Sequence, residues 1–145
     1  MHKEGIGIFR KGDSTDYLYR VALRALIRNE EGEILIVKEK GHDWWSLPGG
    51  GLEYSESIKS CLKRELQEEV GLNGDFKYKM IALEEPSWNE RLGAMQINAL
   101  CEVTPEVVKF SRGVDCIDLR FQSLEEIYVS NPSDSRIVAS LSTIF

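Results

Sequence analysis

The sequence lacks what several classes of protein require. No apolar run approaches the roughly 18 residues of a membrane-spanning helix. A basic excess is missing too: the net charge of −6 argues against a general nucleic-acid binder, which needs a basic face to neutralise phosphates. Cysteine is scarce. Cys61, Cys101 and Cys116 are widely spaced in apolar surroundings and read as buried free thiols, not as a disulfide framework or a metal knuckle. His2 and His42 have no ligand partners at useful spacing, and internal repeats and low-complexity segments are absent. The opening Met1-His2-Lys3-Glu4-Gly5 has neither the apolar stretch nor the small-residue cleavage site of a secretory signal, so a cytoplasmic location is expected.

What is there fits one soluble globular domain over residues 1–145, with 42% hydrophobic and 29% charged residues. Tyr17 to Ile27 alternates, with Tyr19, Val21, Leu23 and Ala25 on one side and Arg20, Ala22 and Arg24 on the other. That pattern predicts a half-buried strand. Asn29-Glu30-Glu31-Gly32 reads as a hairpin turn into a partner strand at Ile34 to Val37, followed by a short strand at Trp44 to Leu47. Pro48-Gly49-Gly50-Gly51 is expected to be irregular, a loop able to lay its peptide groups against a ligand. Ser57 to Val70 holds no proline or glycine and spaces Ile58, Cys61, Leu62, Leu66 and Val70 helically, with Ser55 the expected cap and Gly71 the stop. Strands follow at Phe76 to Leu83, Met95 to Val103 and Val114 to Phe121, then a helical turn at Leu124 to Tyr128. Pro132 and Ser133 precede a last helix with Ile137, Val138, Leu141, Ile144 and Phe145 on its apolar face. This order of elements makes an α+β or layered α/β domain with a mixed sheet.

Most of the excess acid reads as solvated surface, but part of it is gathered in the cluster Glu65, Glu68 and Glu69 of the first predicted helix. At about 100° per residue, with Glu65 at zero, Glu69 falls near 40° and Glu68 near −60°, so the three carboxylates share a sector with Ile58, Cys61 and Leu62. Acids are rarely placed on the inward side of a helix unless paired or bound to metal. Hard oxygen ligands in that number suit Mg²⁺ or Mn²⁺, with waters and substrate phosphates completing the octahedron. On an arbitrary helix the same residues would be ordinary surface charges, with Lys63 or Arg64 as partners.

From Gly50 to Leu72 the chain reads Gly-x5-Glu-x7-Arg-Glu-Leu-x-Glu-Glu-x-Gly-Leu, with Gly50, Glu56, Arg64, Glu65, Glu68, Glu69 and Gly71 at every fixed position of the Nudix box. The chain is thereby identified as similar to the Nudix hydrolases over all but about 16 residues at its start. The resemblance implies an α/β/α sandwich in which the box forms a loop, a helix and a loop. It implies a metal-dependent hydrolase that cuts a nucleoside diphosphate linked to another moiety. Glu65, Glu68 and Glu69 would be carboxylate ligands, with the Gly50 carbonyl completing the metal site. Arg64 would orient a metal-binding glutamate and Glu56 would hold the loop and helix together. A solvent-exposed pairing of Arg64 with Glu68 is the other reading of that arginine. Glu68 or Glu69 would accept the proton of the attacking water, with Glu106, Asp115 and Asp118 as candidates outside the box. Similar proteins are commonly homodimers, and residues 1–16 are a candidate contribution to such an interface.

The attached group is left to the surrounding loops. Tyr17, Tyr19, Trp44, Trp45, Tyr54 and Trp88 offer flat apolar surface for a base. Trp88 is singled out because it lies in the polar segment Glu84 to Arg91 between two predicted strands. Arg20 and Arg24 project together and either meet phosphates or face solvent. Pro86 falls fifteen residues after Gly71, close to where a proline occurs in proteins resembling ADP-ribose pyrophosphatases. The compact length equally resembles the nucleoside triphosphate pyrophosphohydrolases, while the Pro-Gly-Gly-Gly loop departs from the dinucleoside polyphosphate hydrolases. A non-catalytic nucleotide-sensing or interaction module is the alternative; it would be expected to have lost box acids, all of which are present here.

Overall fold

The computed structural model describes residues 5–9 and 15–145. His2, and residues 1–4 and 10–14 of the segment expected to contribute to a homodimer, lie outside the described residues. Strand β1 (Gly7–Phe9) pairs antiparallel with β2 (Thr15–Tyr17), Gly7 opposite Tyr17. Tyr17 therefore closes a separate ribbon, and the first long strand, β3 (Tyr19–Leu26), begins two residues later than the alternation suggested. In chain order follow β4 (Ile34–Glu39), β5 (Trp45–Ser46), β6 (Gly49–Gly51), α1 (Ile58–Val70), β7 (Phe76–Leu83), β8 (Ser87–Asn89), β9 (Ala94–Pro105), β10 (Cys116–Gln122), α2 (Leu124–Ser130) and α3 (Arg136–Ile144).

The strands form a mixed arrangement. β3 runs parallel to β9 and antiparallel to β6, while β7 and β8 both pair antiparallel with β9. β4 lies between β10 and β5 in a second, antiparallel sheet. The predicted hairpin between β3 and β4 survives only at its root, where Asn29 N–H donates to the Glu33 carbonyl at 3.0 Å and Leu35 N–H to that of Ile27 at 2.9 Å. Beyond it the two strands enter different sheets. The reason is that β3 is not half-buried: Ala22, Leu23, Ala25 and Leu26 are all buried. Such a strand sits centrally and needs hydrogen-bonding neighbours on both edges, which β6 and β9 supply.

Two cores flank this arrangement. On one side Cys61, Leu62, Leu66 and Val70 of α1 pack with Leu23, Ala25, Leu35 and Val37. On the other, Ile127 of α2 and Ile137 and Leu141 of α3 pack with Leu26, Ile34, Ile36 and Leu100. Alternate residues of β3 and β4 thus serve opposite layers, as the pleat requires, and the result is an α/β/α sandwich.

Local chemistry sets the helix ends. The α1 cap is Ser57, whose hydroxyl accepts from Ser60 N–H at 3.1 Å; Ser55 instead occupies a left-handed turn position at φ 63°. Gly71, at φ 68°, stops the helix as expected, its N–H reaching the Gln67 carbonyl while Leu72 N–H reaches that of Leu66. The last helix is capped by Ser135, not Ser133, through Val138 N–H at 3.4 Å. Phe145, expected on its apolar face, lies past the helix end and is exposed, with the Arg28 guanidinium over its ring.

The glycine loop also differs from expectation. Gly49–Gly51 is a strand, β6, laid against β3 with Gly50 opposite Leu23. Only glycine fits there: at φ 146°, a Cβ on Gly49 would stand 1.9 Å from the Leu23 carbonyl oxygen.

Candidate active site

The β3–β6 pairing and α1 create one wall of a cavity of about 750 Å³. Its lining includes Arg20, Arg24, Gly49, Gly50, Gly51, Glu65 and Glu69 from the predicted site, together with Trp44 and Trp88. Lys40, Arg91 and Arg136 bring further positive charge, and Glu39, Glu53, Glu90 and Asp115 further negative charge.

Glu69 is the most deeply placed of the helix acids, only 7% exposed. It accepts from Gly49 N–H at 3.2 Å. Burial, and next the neighbouring Glu39 carboxyl, push its pKa up to about 9, against the opposing pull of Arg24. A carboxyl in this position resists ionising unless positive charge is brought beside it. Arg24 donates to Glu39 Oε1 and to the Leu47 and Gly49 carbonyls, each at 3.2 Å. It is consequently engaged in holding the glycine strand and Glu39. Arg20 donates to the Leu52 carbonyl at 3.2 Å and lies 3.8 Å from Glu53, with its guanidinium stacked where a Cβ of Gly51 would otherwise be.

Glu65 lies against Gly50, where an added Cβ would stand 2.4 Å from its carboxyl carbon. Its pKa is raised by burial and partly offset by Arg64. Arg64 grips Glu56 with two nitrogens, Nε to Oε2 and Nη2 to Oε1, both at 2.8 Å. The same guanidinium donates to Glu65 Oε1 at 2.7 Å and to the Gly51 carbonyl at 3.0 Å. Glu68 is its most distant partner, at 3.9 Å. Loop, helix and one acid are thus tied through a single side chain by charge-assisted bonds.

The three helix acids do not converge into one cluster. Glu69 turns to Gly49 and Glu39, Glu65 to Arg64, and Glu68 is 63% exposed at the solvent edge. Among the described residues no group of three or more acidic, histidine or cysteine side chains is drawn together as a ready-made cage.

Of the acids outside the box, Asp115 reaches the cavity, Asp118 is paired with Arg120 at 2.9 Å, and Glu106 is exposed. Tyr54 is fully exposed, and Trp45 lies beneath Lys38 and Arg120. Trp88 stands in β8 of a hairpin, not in a loop. Sequence reasoning passed over Glu39, which ends β4 and carries no motif. It set aside His42, whose ring stacks on Trp44 at 4.3 Å and whose Nδ1 lies 3.4 Å from Glu39 Oε2. The three thiols are buried and unpaired, as expected, and burial pushes Cys61 up to about 12.

The Glu56–Arg64 pair has a pH consequence. Arg64 foremost, then the loop backbone, holds the Glu56 carboxyl down at about 2. Because the folded value lies below the ordinary value of 4.5, the contribution is complete above that pH and is lost as pH falls towards 2. Urea midpoints measured between pH 7 and pH 3 should therefore fall more steeply for the wild type than for Glu56→Gln; parallel curves would contradict this account.

A sandwich with a glycine strand beside an acid-bearing helix defines the class, and the sequence agrees: residues 18–137 match the NUDIX domain. The chain belongs to the NUDIX family. An RNA pyrophosphohydrolase of Ruthia magnifica subsp. Calyptogena magnifica is 37% identical over 70 residues, which are 48% of this chain and 38% of that protein. Across the first five curated relatives the match spans between 30% and 49% of their own length. Among solved structures, a MutT protein from Methanosarcina mazei Go1 aligns with TM-score 0.65 and 26% identity over 75% of this chain and 80% of that one. A MutT NUDIX hydrolase from Burkholderia pseudomallei shares the fold with TM-score 0.72 over 88% of this chain and 99% of that one, at 19% identity. No described helix is long and apolar enough to cross a membrane.

Proposed function

We propose that this chain is a divalent-metal-dependent hydrolase of a nucleoside diphosphate linked to another moiety. Within that class the reading is a nucleoside triphosphate pyrophosphohydrolase or an ADP-ribose or nucleotide-sugar pyrophosphatase. The observation that carries it is Glu69: a buried carboxyl beside a second one, at a cavity whose lining brings arginine and lysine together with further carboxylates. A site that holds carboxylates out of water, with arginine and lysine in the same lining, suits a cation that bridges protein and phosphate.

The donor set fits Mg²⁺ or Mn²⁺, since it offers hard oxygens and no sulfur or imidazole ligand is required. Glu65, Glu69 and the Gly50 carbonyl would hold the ion, with Glu39 as a further oxygen beside Glu69, and Glu68 would join them by turning in from the solvent edge. When bound, such an ion neutralises phosphate charge and lowers the pKa of a water. The residues of the chain do the rest. Arg64, fixed by Glu56, keeps Glu65 from swinging away. Arg20 and Lys40 would orient the phosphates. Glu68, the least constrained of the three acids, or Glu69 would take the proton of the water that attacks phosphorus. Trp44 and Trp88 supply apolar walls for a base. The product would be a nucleoside monophosphate with pyrophosphate or a phosphorylated sugar.

The test is a panel of nucleoside triphosphates, ADP-ribose, nucleotide sugars and dinucleoside polyphosphates with Mg²⁺, ranked by kcat/KM. Turnover of at least one class, abolished by EDTA and restored by Mg²⁺, is expected. Binding of nucleotides without turnover would replace this reading by a nucleotide-sensing module.

A further inference from the structure

The last turn of α1 leaves carbonyls with no partner inside the helix. Two of them are taken by the segment between β9 and β10. Ser111 N–H donates to the Val70 carbonyl and Gly113 N–H to the Glu69 carbonyl, both at 2.9 Å. The approach leaves no room for a side chain, since a Cβ on Gly113 would overlap the Glu68 carbonyl oxygen. From there the chain turns: Cys116 N–H donates to the Gly113 carbonyl at 3.2 Å, and Lys40 N–H to the Asp115 carbonyl at 2.7 Å. Residues 113–116 thus run, through backbone bonds, from Glu69 to the residue after Glu39.

Glu69 and Glu39 are the two carboxyls that meet at the cavity, and core packing alone does not set their separation. Val37 is the last β4 residue in the core shared with α1, and β5 pairs with β4 only at Val37 and Lys38. At Glu39 the paired strand residue is Cys116, beside an irregularity in the ladder between Cys116 and Asp118. Arg24 engages the Glu39 side chain. The backbone that carries that side chain is positioned from the next strand through Cys116 and, one residue on, through Asp115. Cys116 is buried and gives the turn a fixed foot, while Val114 at its tip is 94% exposed.

Resting on the metal-dependent hydrolase reading above, we propose that the turn 113–116 is a strap that sets the separation of the Glu39 and Glu69 carboxyls and thereby the affinity for a divalent cation. Gly113 is its positioning residue. Like charges at close range repel, so two carboxylates placed to share a cation tend to part when none is bound. A strap of backbone bonds resists that parting without offering a ligand itself. A cation that draws the two acids together favours the closed strap, and by linkage the closed strap favours the cation to the same degree. Partners that act through the geometry of metal ligands are worth about ten- to a hundredfold in affinity.

Mg²⁺ is titrated calorimetrically into metal-free protein, at a temperature where circular dichroism shows the proteins folded. Gly113→Ala forces the turn off the helix and should raise the Mg²⁺ Kd about tenfold or more. Insertion of one glycine between Gly113 and Val114, at the exposed tip, keeps the bond to Glu69 but slackens the span to Lys40. It should weaken Mg²⁺ binding in the same way, and it decides the matter if Gly113→Ala does not fold. Ser123→Ala, which removes the α2 cap at the opposite end of β10, should lower Tm and leave the Kd unchanged. In the wild type, Mg²⁺ should slow hydrogen exchange at the Gly113 and Lys40 amides. Mg²⁺ binding that both strap variants retain, a loss confined to Gly113→Ala, an equal loss in Ser123→Ala, or exchange indifferent to Mg²⁺ overturns the strap and leaves the hydrolase standing. A wild type that hydrolyses nucleotides yet binds no Mg²⁺ in their absence does the same. Absence of both Mg²⁺ binding and Mg²⁺-dependent turnover overturns the hydrolase reading and the strap with it.

Discussion

Replacing Glu69 by glutamine is expected to lower kcat/KM by about a thousandfold, the scale of losing a group that stabilises developing charge in a dry site. It should do so without unfolding the protein. Glutamine keeps the size of the side chain and an oxygen to accept from Gly49 N–H. It also removes the ionisation that burial and Glu39 oppose. Metal-free Glu69→Gln should therefore melt at least as high as the wild type at pH 8. The two proteins should part company when Mg²⁺ is added. A ligand that binds only the folded state raises stability in proportion to the logarithm of its concentration over Kd, so wild-type melting should rise with Mg²⁺ and that of Glu69→Gln should not. Identical Mg²⁺ titrations by calorimetry would remove Glu69 from the proposed metal site even if activity were lost.

Gly49→Ala should produce the largest loss of stability of any single methyl addition near the cavity, about 3 kcal/mol or more. Two penalties coincide. The φ of 146° is one that residues with a side chain rarely adopt, and the new Cβ would meet the Leu23 carbonyl oxygen at 1.9 Å. Leu23 belongs to β3, held on both edges, so the obstacle is backbone that cannot step aside. For a domain of this size the melting temperature should drop by roughly 10 °C. Gly51→Ala is the control. Its Cβ would collide with the guanidinium of Arg20, the far end of a flexible side chain, so its stability loss should be much smaller. Equal destabilisation by the two substitutions in urea unfolding would show that backbone strain at Gly49 is not the cause.

Much of this was legible in the chain itself. The α1 periodicity placed Cys61, Leu62, Leu66 and Val70 in the core and put Glu65 and Glu69 on the same side, because helical spacing depends on near neighbours alone. Gly71 as a stop was legible for the same reason. The caps were misread by two residues, at Ser57 for Ser55 and Ser135 for Ser133. In each case another serine lay two positions away, and the one that caps is the one held in extended backbone, at φ −75° for Ser57 and −71° for Ser135. Strand existence was readable from β-branched and aromatic runs, but strand partners were not. The turn at Asn29 to Gly32 forms, yet β3 and β4 separate beyond it, because both faces of β3 have layers to contact and its edges are taken by β6 and β9.

The sequence by itself determined the family motif, the helix that bears its acids and the apolar faces that make three layers. Those depend on residue type and local period. Only the tertiary structure decided that Glu39 of β4 meets Glu69, that Arg24 is occupied with Glu39 and the glycine strand, and that Arg64 rather than solvent holds Glu65. It alone brought Asn89, Gln96, Asn98, Glu84 and Ser140 into one hydrogen-bonded row. These pairings join residues from different strands and helices, and no local pattern encodes the path that carries one element past another. Their chemistry follows from burial, which turns ordinary polar side chains into groups whose partners must be present.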